Sequence, residues 1–124
     1  MYPRSILIVD DSEIIADRLT NMLKNSENVG RIAQASDYAS AVSQLAQKPV
    51  VIALLDINLP GRNGIVLLQF IKTVYPSTIV IMITNQSGEY YQKICRQMGA
   101  DYFIDKSSQF DQVLSVISSL PDAH

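Results

Sequence analysis

Five short apolar runs, none alternating with polar residues, are separated by segments whose apolar residues recur at helical spacing. A strand that is apolar throughout has to be buried on both faces, which is the situation in a parallel sheet covered by helices on each side. The runs are Ser5–Val9, the weaker Arg31–Ala35, Pro49–Asp56 (PVVIALLD), Thr78–Thr84 (TIVIMIT) and Asp101–Asp105 (DYFID). The spacing predicts helices over Ser12–Lys24, Ser36–Gln47 and about Ile65–Val74, a shorter and less clearly amphipathic one stopping at Gly99, and a last one over Ser108–Leu120. Their inward stripes are Ile15, Leu19, Met22 and Leu23; Ala39, Val42, Leu45 and Ala46; Leu68, Phe70 and Ile71; and Phe110, Val113, Leu114, Ile117 and Leu120. Asn28 and Gly30 break the first helix and Tyr75-Pro76 the third. Such βαβ alternation implies an α/β fold with a parallel five-stranded sheet, right-handed crossovers and helices on both faces.

With 124 residues, the chain reads as one domain over 1–124 around a single continuous core. Hydrophobic residues make up 48% and charged ones 18%, a globular balance. No apolar run reaches the roughly 20 residues of a bilayer crossing, and the early run in MYPRSILIVDD stops at two aspartates, unlike a signal peptide. A net charge of -2 without a basic stripe argues against direct nucleic-acid binding. Cys95 is the only cysteine, so no internal disulfide forms and an intracellular, cytoplasmic location fits; it reads as a core residue of the fourth helix, as Met82 and Met98 read as packing. His124 is the sole histidine and the last residue, which disfavours histidine acid–base chemistry.

In open α/β sheets the site lies beyond the carboxyl ends of the strands. Those ends carry Asp10 and Asp11 after the first strand, Asp56 after the third, Thr84 after the fourth and Lys106 after the fifth. Polar residues at strand ends are ordinary one at a time, as helix caps or solvated side chains. Together they form a set with a chemical use. Three clustered carboxylates repel one another unless a cation joins them, and an all-oxygen donor set suits Mg²⁺. One carboxylate then remains to act as nucleophile in aspartyl-phosphate chemistry, with Lys106 and Thr84 offering an ammonium and a hydroxyl to phosphoryl oxygens. Asp56 is the candidate nucleophile, since it ends the most apolar strand and precedes a loop, INLPGRNG, in which Pro60, Gly61 and Gly64 permit tight turning.

The ordered set ILIVDDS, LLDINLPGRNG, IVIMIT and GADYFIDKS resembles the receiver domain of two-component response regulators over residues 5 to 120. The resemblance implies a flavodoxin-like (βα)5 fold with strand order 2-1-3-4-5. It implies that Asp56 accepts phosphate from a histidine kinase or phosphotransfer protein, and that Asp10, Asp11, Asp56 and the backbone carbonyl of Asn58 hold Mg²⁺. Thr84 is then the switch hydroxyl, Lys106 the partner of the phosphoryl group and Phe103 the aromatic switch residue. Asn58 and Gln86, each two residues beyond a site residue, look out over the phosphoryl group and tune its lifetime. One departure stands out: the family usually has proline after the lysine, and this chain has Ser107. A cis Lys106–Ser107 bond costs about 2.5–4 kcal/mol, so this loop is expected to be trans or strained.

By the same resemblance the output surface is the fourth helix, fifth strand and fifth helix, where Tyr90, Tyr91, Gln97, Tyr102 and Phe103 lie. Adjacent tyrosines on a helix do not both face the core, so at least one is exposed, either with no partner or as an anchor for an output protein or a phosphorylation-dependent second copy. The residues after Leu120 are too few for a further output domain, so the chain reads as a stand-alone receiver or as a piece of a longer regulator or hybrid kinase. The leading function is a phosphoacceptor switch and not an enzyme beyond its own phosphoryl transfer and slow self-dephosphorylation. Two other classes compete. A small Mg²⁺-dependent phosphatase of the haloacid-dehalogenase type calls for a second Asp two residues after the nucleophile on the first strand, and generally a cap. A flavodoxin calls for a hydroxyl- and glycine-rich phosphate loop where this chain has two carboxylates.

Overall fold

The computed structural model describes residues 3–85, 88–107 and 109–120. Strands β1 (Arg4–Val9), β2 (Val29–Ala35), β3 (Ile52–Leu55), β4 (Ile79–Thr84) and β5 (Tyr102–Asp105) alternate with helices α1 (Glu13–Leu23), α2 (Tyr38–Gln47), α3 (Gly64–Val74), α4 (Glu89–Gln97) and α5 (Gln112–Ser119). The sheet is parallel in the order β2-β1-β3-β4-β5, the expected flavodoxin-like topology.

Two hydrophobic layers explain why the strands carry no polar alternation. Leu7, Val9, Ala53, Leu55, Val80 and Met82 point into one layer with Ala41 and Leu45 of α2, Leu67, Leu68 and Ile71 of α3 and Cys95 of α4. Their strand neighbours Ile6, Ile8, Ile52, Leu54, Ile81 and Ile83 point the other way, onto Ala16, Leu19 and Leu23 of α1 and Val113 and Ile117 of α5. Each such aliphatic side chain contributes about 1.5–3 kcal/mol by leaving water, so a polar residue at any strand centre opposes one layer or the other.

Local chemistry sets the helix starts. The Ser12 hydroxyl caps α1 by accepting from Ile15 N–H, Asp37 and Ser40 form a reciprocal capping box on α2, and Asn63 Oδ1 accepts from Ile65 and Val66 N–H at α3. Helix α4 gives way to Gly99 at φ 103°, a left-handed conformation that glycine adopts without a Cβ penalty.

Several boundaries and faces differ from the sequence pattern. Strand β2 begins earlier and takes in Gly30, while α2 turns Ala41 and Leu45 inward and leaves Ala39 and Ala46 exposed. Met98 is 38% exposed, not packed, and α5 starts only at Gln112. Arg4 is buried and reaches across the sheet end, donating to the carbonyls of Ile117 at 2.6 Å and Leu120 at 2.5 Å. Among the described residues no helix is long and apolar enough to cross a membrane.

Candidate functional site

The strand register brings the acids together. Val9 pairs with Leu55 and with Ala35, so the residues that follow β1 and β3 leave the sheet side by side. Asp10 N–H donates to Ala35 O and Asp56 N–H to Val9 O, both at 3.0 Å, which continues the ladder by one step and fixes both Cα positions. At the other side of the rim Thr84 pairs with Asp105, and Lys106 N–H donates to Thr84 O at 3.0 Å.

One carboxylate oxygen each from Asp10, Asp11 and Asp56 lies within 4.8 Å of the others. Asp10 and Asp56 are buried and Asp11 is exposed, so the cluster opens to solvent on one side. A hollow of about 340 Å³ continues from it, lined by Asp10, Asp11, Glu13, Gln34 and Ser36 among others. Three hard oxygen donors this close together can hold a divalent metal ion. Glu13 of α1 and Gln34 of β2 thus join the rim, Gln34 because β2 pairs alongside β1.

Lys106 occupies the buried side of the same cluster. Its ammonium lies 2.6 Å from Asp10 Oδ2 and 2.9 Å from Asp56 Oδ2, and the lysine side chain is 9% exposed. Each acid keeps its other oxygen for a backbone amide: Asp10 Oδ1 accepts from Ser12 N–H at 2.9 Å and Asp56 Oδ1 from Asn58 N–H at 3.3 Å. Burial pushes the Asp10 carboxyl above its ordinary pKa, against the pull of Lys106 and the Ser12 amide, and the Asp56 charge pushes the same way as burial. For Lys106 burial favours the neutral amine, but hydrogen bonds to Asp10 and Asp56 and their charges outweigh it and raise the pKa. The ammonium therefore offsets part of the acid repulsion that a metal ion alone was expected to offset.

The remaining positions fall as follows. Thr84 closes β4 and is completely buried. Phe103 lies in β5 opposite Met82, half-buried against the α2–α3–α4 layer. Tyr90 is 69% exposed while Tyr91 packs on that layer, the two rings meeting edge to face at 5.3 Å. Tyr102 is 38% exposed and Gln97 is exposed. Asn58 is exposed beside Asp56, and Gln86 lies outside the described residues. Every described peptide bond is trans, Lys106–Ser107 included.

Gly64 is a close-approach point as well as a turn residue. Its N–H donates to Ile57 O at 2.7 Å, and a Cβ there would overlap the carbonyl oxygen of Asp56 and sit 2.7 Å from its carbonyl carbon. Helix α3 is thereby seated directly against the peptide unit of the candidate nucleophile.

Comparison with known proteins agrees with this geometry. A model of the response regulator receiver domain family matches residues 6–118. The Fimbriae Z protein of Salmonella typhimurium is 26% identical over 120 residues, which cover 97% of this chain and 57% of that protein. The transcriptional regulatory protein YxdJ of Bacillus subtilis is 33% identical over 115 residues, 92% of this chain and 48% of that protein. The chain thus spans about half the length of these curated relatives. The crystal structure of the receiver domain of NtrX from Brucella abortus matches with a TM-score of 0.82 at 29% identity, over 91% of this chain and 94% of that one.

Proposed function

This chain belongs to the response regulator receiver domain family of two-component systems, and from that premise we propose that it is a phosphorylation switch whose phosphoacceptor is Asp56. The observation that carries the reading is the approach of one carboxylate oxygen each of Asp10, Asp11 and Asp56 to within 4.8 Å, with Lys106 bridging two of them. In the proposed step a carboxylate oxygen of Asp56 attacks the phosphorus of a kinase or phosphotransfer-protein phosphohistidine. The P–N bond breaks, its electron pair stays on the imidazole, and an acyl phosphate forms on Asp56. Mg²⁺, held by Asp10, Asp11, Asp56 and the carbonyl of Asn58, would neutralise charge on the transferring phosphoryl oxygens.

Lys106 turns from the Asp56 carboxylate to the phosphoryl group that replaces its charge, and the Thr84 hydroxyl donates to a phosphoryl oxygen. Phe103 follows Thr84, which alters the face bearing Tyr90, Tyr91 and Tyr102 and changes its affinity for an output protein or a second phosphorylated copy. Asn58 and Gln86 govern how readily water reaches the acyl phosphate. The unit spans residues 1–124, works in the cytoplasm, and performs no chemistry beyond its own phosphoryl transfer and slow dephosphorylation.

Incubation of the chain with acetyl phosphate and Mg²⁺, followed by intact-mass measurement, tests this. One phosphoryl adduct is expected on the native sequence and none on Asp56→Asn. An adduct retained by Asp56→Asn, or catalytic turnover of small phosphomonoesters, would overturn the reading.

A further inference from the structure

Lys106 sits inside a turn built around its preceding neighbour. Asp105 Oδ1 accepts from the Ser107 N–H at 2.9 Å and from the Ser107 hydroxyl at 2.7 Å. The Asp105 N–H donates to Gln109 Oε1 at 3.0 Å, and the Asp105 carbonyl accepts from the Gln109 N–H at 2.8 Å. Amide, carbonyl and carboxylate of residue 105 are thus tied to residues 107 and 109, with Lys106 enclosed between them. The far end of the turn is pinned as well, because Phe110 is buried and the Arg18 guanidinium stands 4.2 Å from its ring centroid.

A lysine stem has many rotamers, so its ammonium meets two separate carboxylates, at 2.6 and 2.9 Å, only where the backbone beneath it is fixed. The strand ladder fixes that backbone on one side, through Lys106 N–H to Thr84 O. On the other side the fixing comes from the Asp105 side chain.

We propose that Asp105 is a positioning residue for Lys106: its carboxylate, closed by Ser107, holds the turn in the conformation from which the ammonium spans Asp10 and Asp56. Ser107 stands where the family pattern has proline, so in this chain a side-chain turn does what a ring would otherwise do. The proposal rests on the phosphoacceptor reading of Asp56 and Lys106.

The test is a double-mutant cycle on the rate of acetyl phosphate labelling with Mg²⁺, using the full chain and intact mass. Lys106→Ala labels more slowly than the native chain. Asp105→Ala is slower on the order of tenfold, the size expected for a displaced charged group. Asp105→Asn recovers the native rate, because its amide oxygen still accepts from Ser107. Added to Lys106→Ala, Asp105→Ala changes nothing further, since its effect passes through the ammonium. A merely structural role predicts equal slowing in both backgrounds, and that result overturns the proposal, as does an Asp105→Asn rate as low as that of Asp105→Ala. If Asp105→Ala does not fold, Ser107→Ala carries the same cycle, with an expected loss of about threefold for one hydroxyl hydrogen bond. Failure of the underlying reading looks different, because Lys106→Ala would then label at the native rate.

Discussion

Replacing Gly64 by alanine adds one methyl group, and the structure sets its effect. The new carbon would overlap the Asp56 carbonyl oxygen and lie 2.7 Å from the Asp56 carbonyl carbon and 2.9 Å from Ile57 Cα, whereas real Cβ atoms essentially never come within 3.0 Å of such atoms. All three neighbours are backbone, so none can swing aside. Either α3 retreats or the peptide after Asp56 is pushed. A retreat of about 1 Å forfeits a quarter to a half of the dispersion well of each facing contact. Leu67, Leu68 and Ile71, all fully buried on α3, face that loss. The hydrogen bond from Gly64 N–H to Ile57 O lengthens with the retreat.

Overpacking of this kind costs about 1–3 kcal/mol and the weakened hydrogen bond about 1, while the stiffer unfolded chain of an alanine variant returns about 0.4–1. The expected net loss is about 1–3.6 kcal/mol, a fall on the order of 1 M in the urea midpoint for a chain of this size. Gly88→Ala is the control, since nothing lies within 4 Å of a Cβ there and its φ is an ordinary -62°; alanine is a poorer N-cap of α4 than glycine, so it should stay within about 1 kcal/mol. Acetyl phosphate labelling should also fall in Gly64→Ala at urea-free conditions where the variant is folded, because Asp56 is displaced. A Gly64→Ala midpoint equal to or above the native one would refute the close-approach argument.

Further outcomes follow from the same geometry. Asp11→Ala, at an exposed position, should leave the unfolding free energy within about 0.5 kcal/mol of native yet weaken Mg²⁺ binding, read as loss of metal-dependent amide shifts; unchanged affinity would place the metal elsewhere. Asp10 has a raised pKa in the fold, so the folded state holds its proton more tightly than the unfolded chain does. Its contribution is complete below the ordinary carboxylate pKa of 3.8 and is lost as pH rises through the folded value. Asp10→Asn should therefore be at least as stable as the native chain at neutral pH without metal, the advantage vanishing toward pH 4, while losing Mg²⁺ affinity; a clear loss of stability at pH 7 would contradict this sign. Arg4→Met removes donors to the Ile117 and Leu120 carbonyls and should cost about 2–4 kcal/mol, with faster amide exchange concentrated in α5. Tyr90→Ala should leave stability and labelling unchanged, and weaken phosphorylation-dependent association if the exposed ring is an anchor.

The sheet was legible because its strands lie between two apolar layers. Ile6 and Leu7, or Ile81 and Met82, are neighbours in sequence that serve opposite faces, and both must be apolar. The site was legible for a related reason: the carboxyl ends of parallel strands share one rim, so Asp10, Asp56 and Lys106 converge although far apart in the chain. What the pattern did not carry was pairing across that rim. Whether Lys106 meets one acid, two or none depends on rotamers and on the turn held by Asp105, and neither leaves a trace in hydrophobic periodicity. Arg4 was invisible for the same reason, since its partners are carbonyls more than a hundred residues away. Helix faces failed where apolar residues were small. Alanines at 39, 41 and 46 are alike to a pattern, and only the packing of α2 on β2 selects Ala41.

Charge balance at the rim bears on both the unphosphorylated cluster and the proposed switch. Three carboxylates against one ammonium leave two negative charges in a partly buried hollow, which is the complement of a divalent cation. Because Lys106 already offsets Asp10 and Asp56, the acids tolerate one another without a metal ion, and an arriving cation would meet the exposed Asp11 first. On the proposed reading, phosphorylation of Asp56 would replace one carboxylate charge by about 1.5 to 2 phosphoryl charges carried farther from the Asp56 backbone. The ammonium that bridges Asp10 and Asp56 would then have a stronger partner displaced outward. One ammonium would then have to divide between the carboxylate pair and the phosphoryl group, which is the kind of competing arrangement the proposed switch requires.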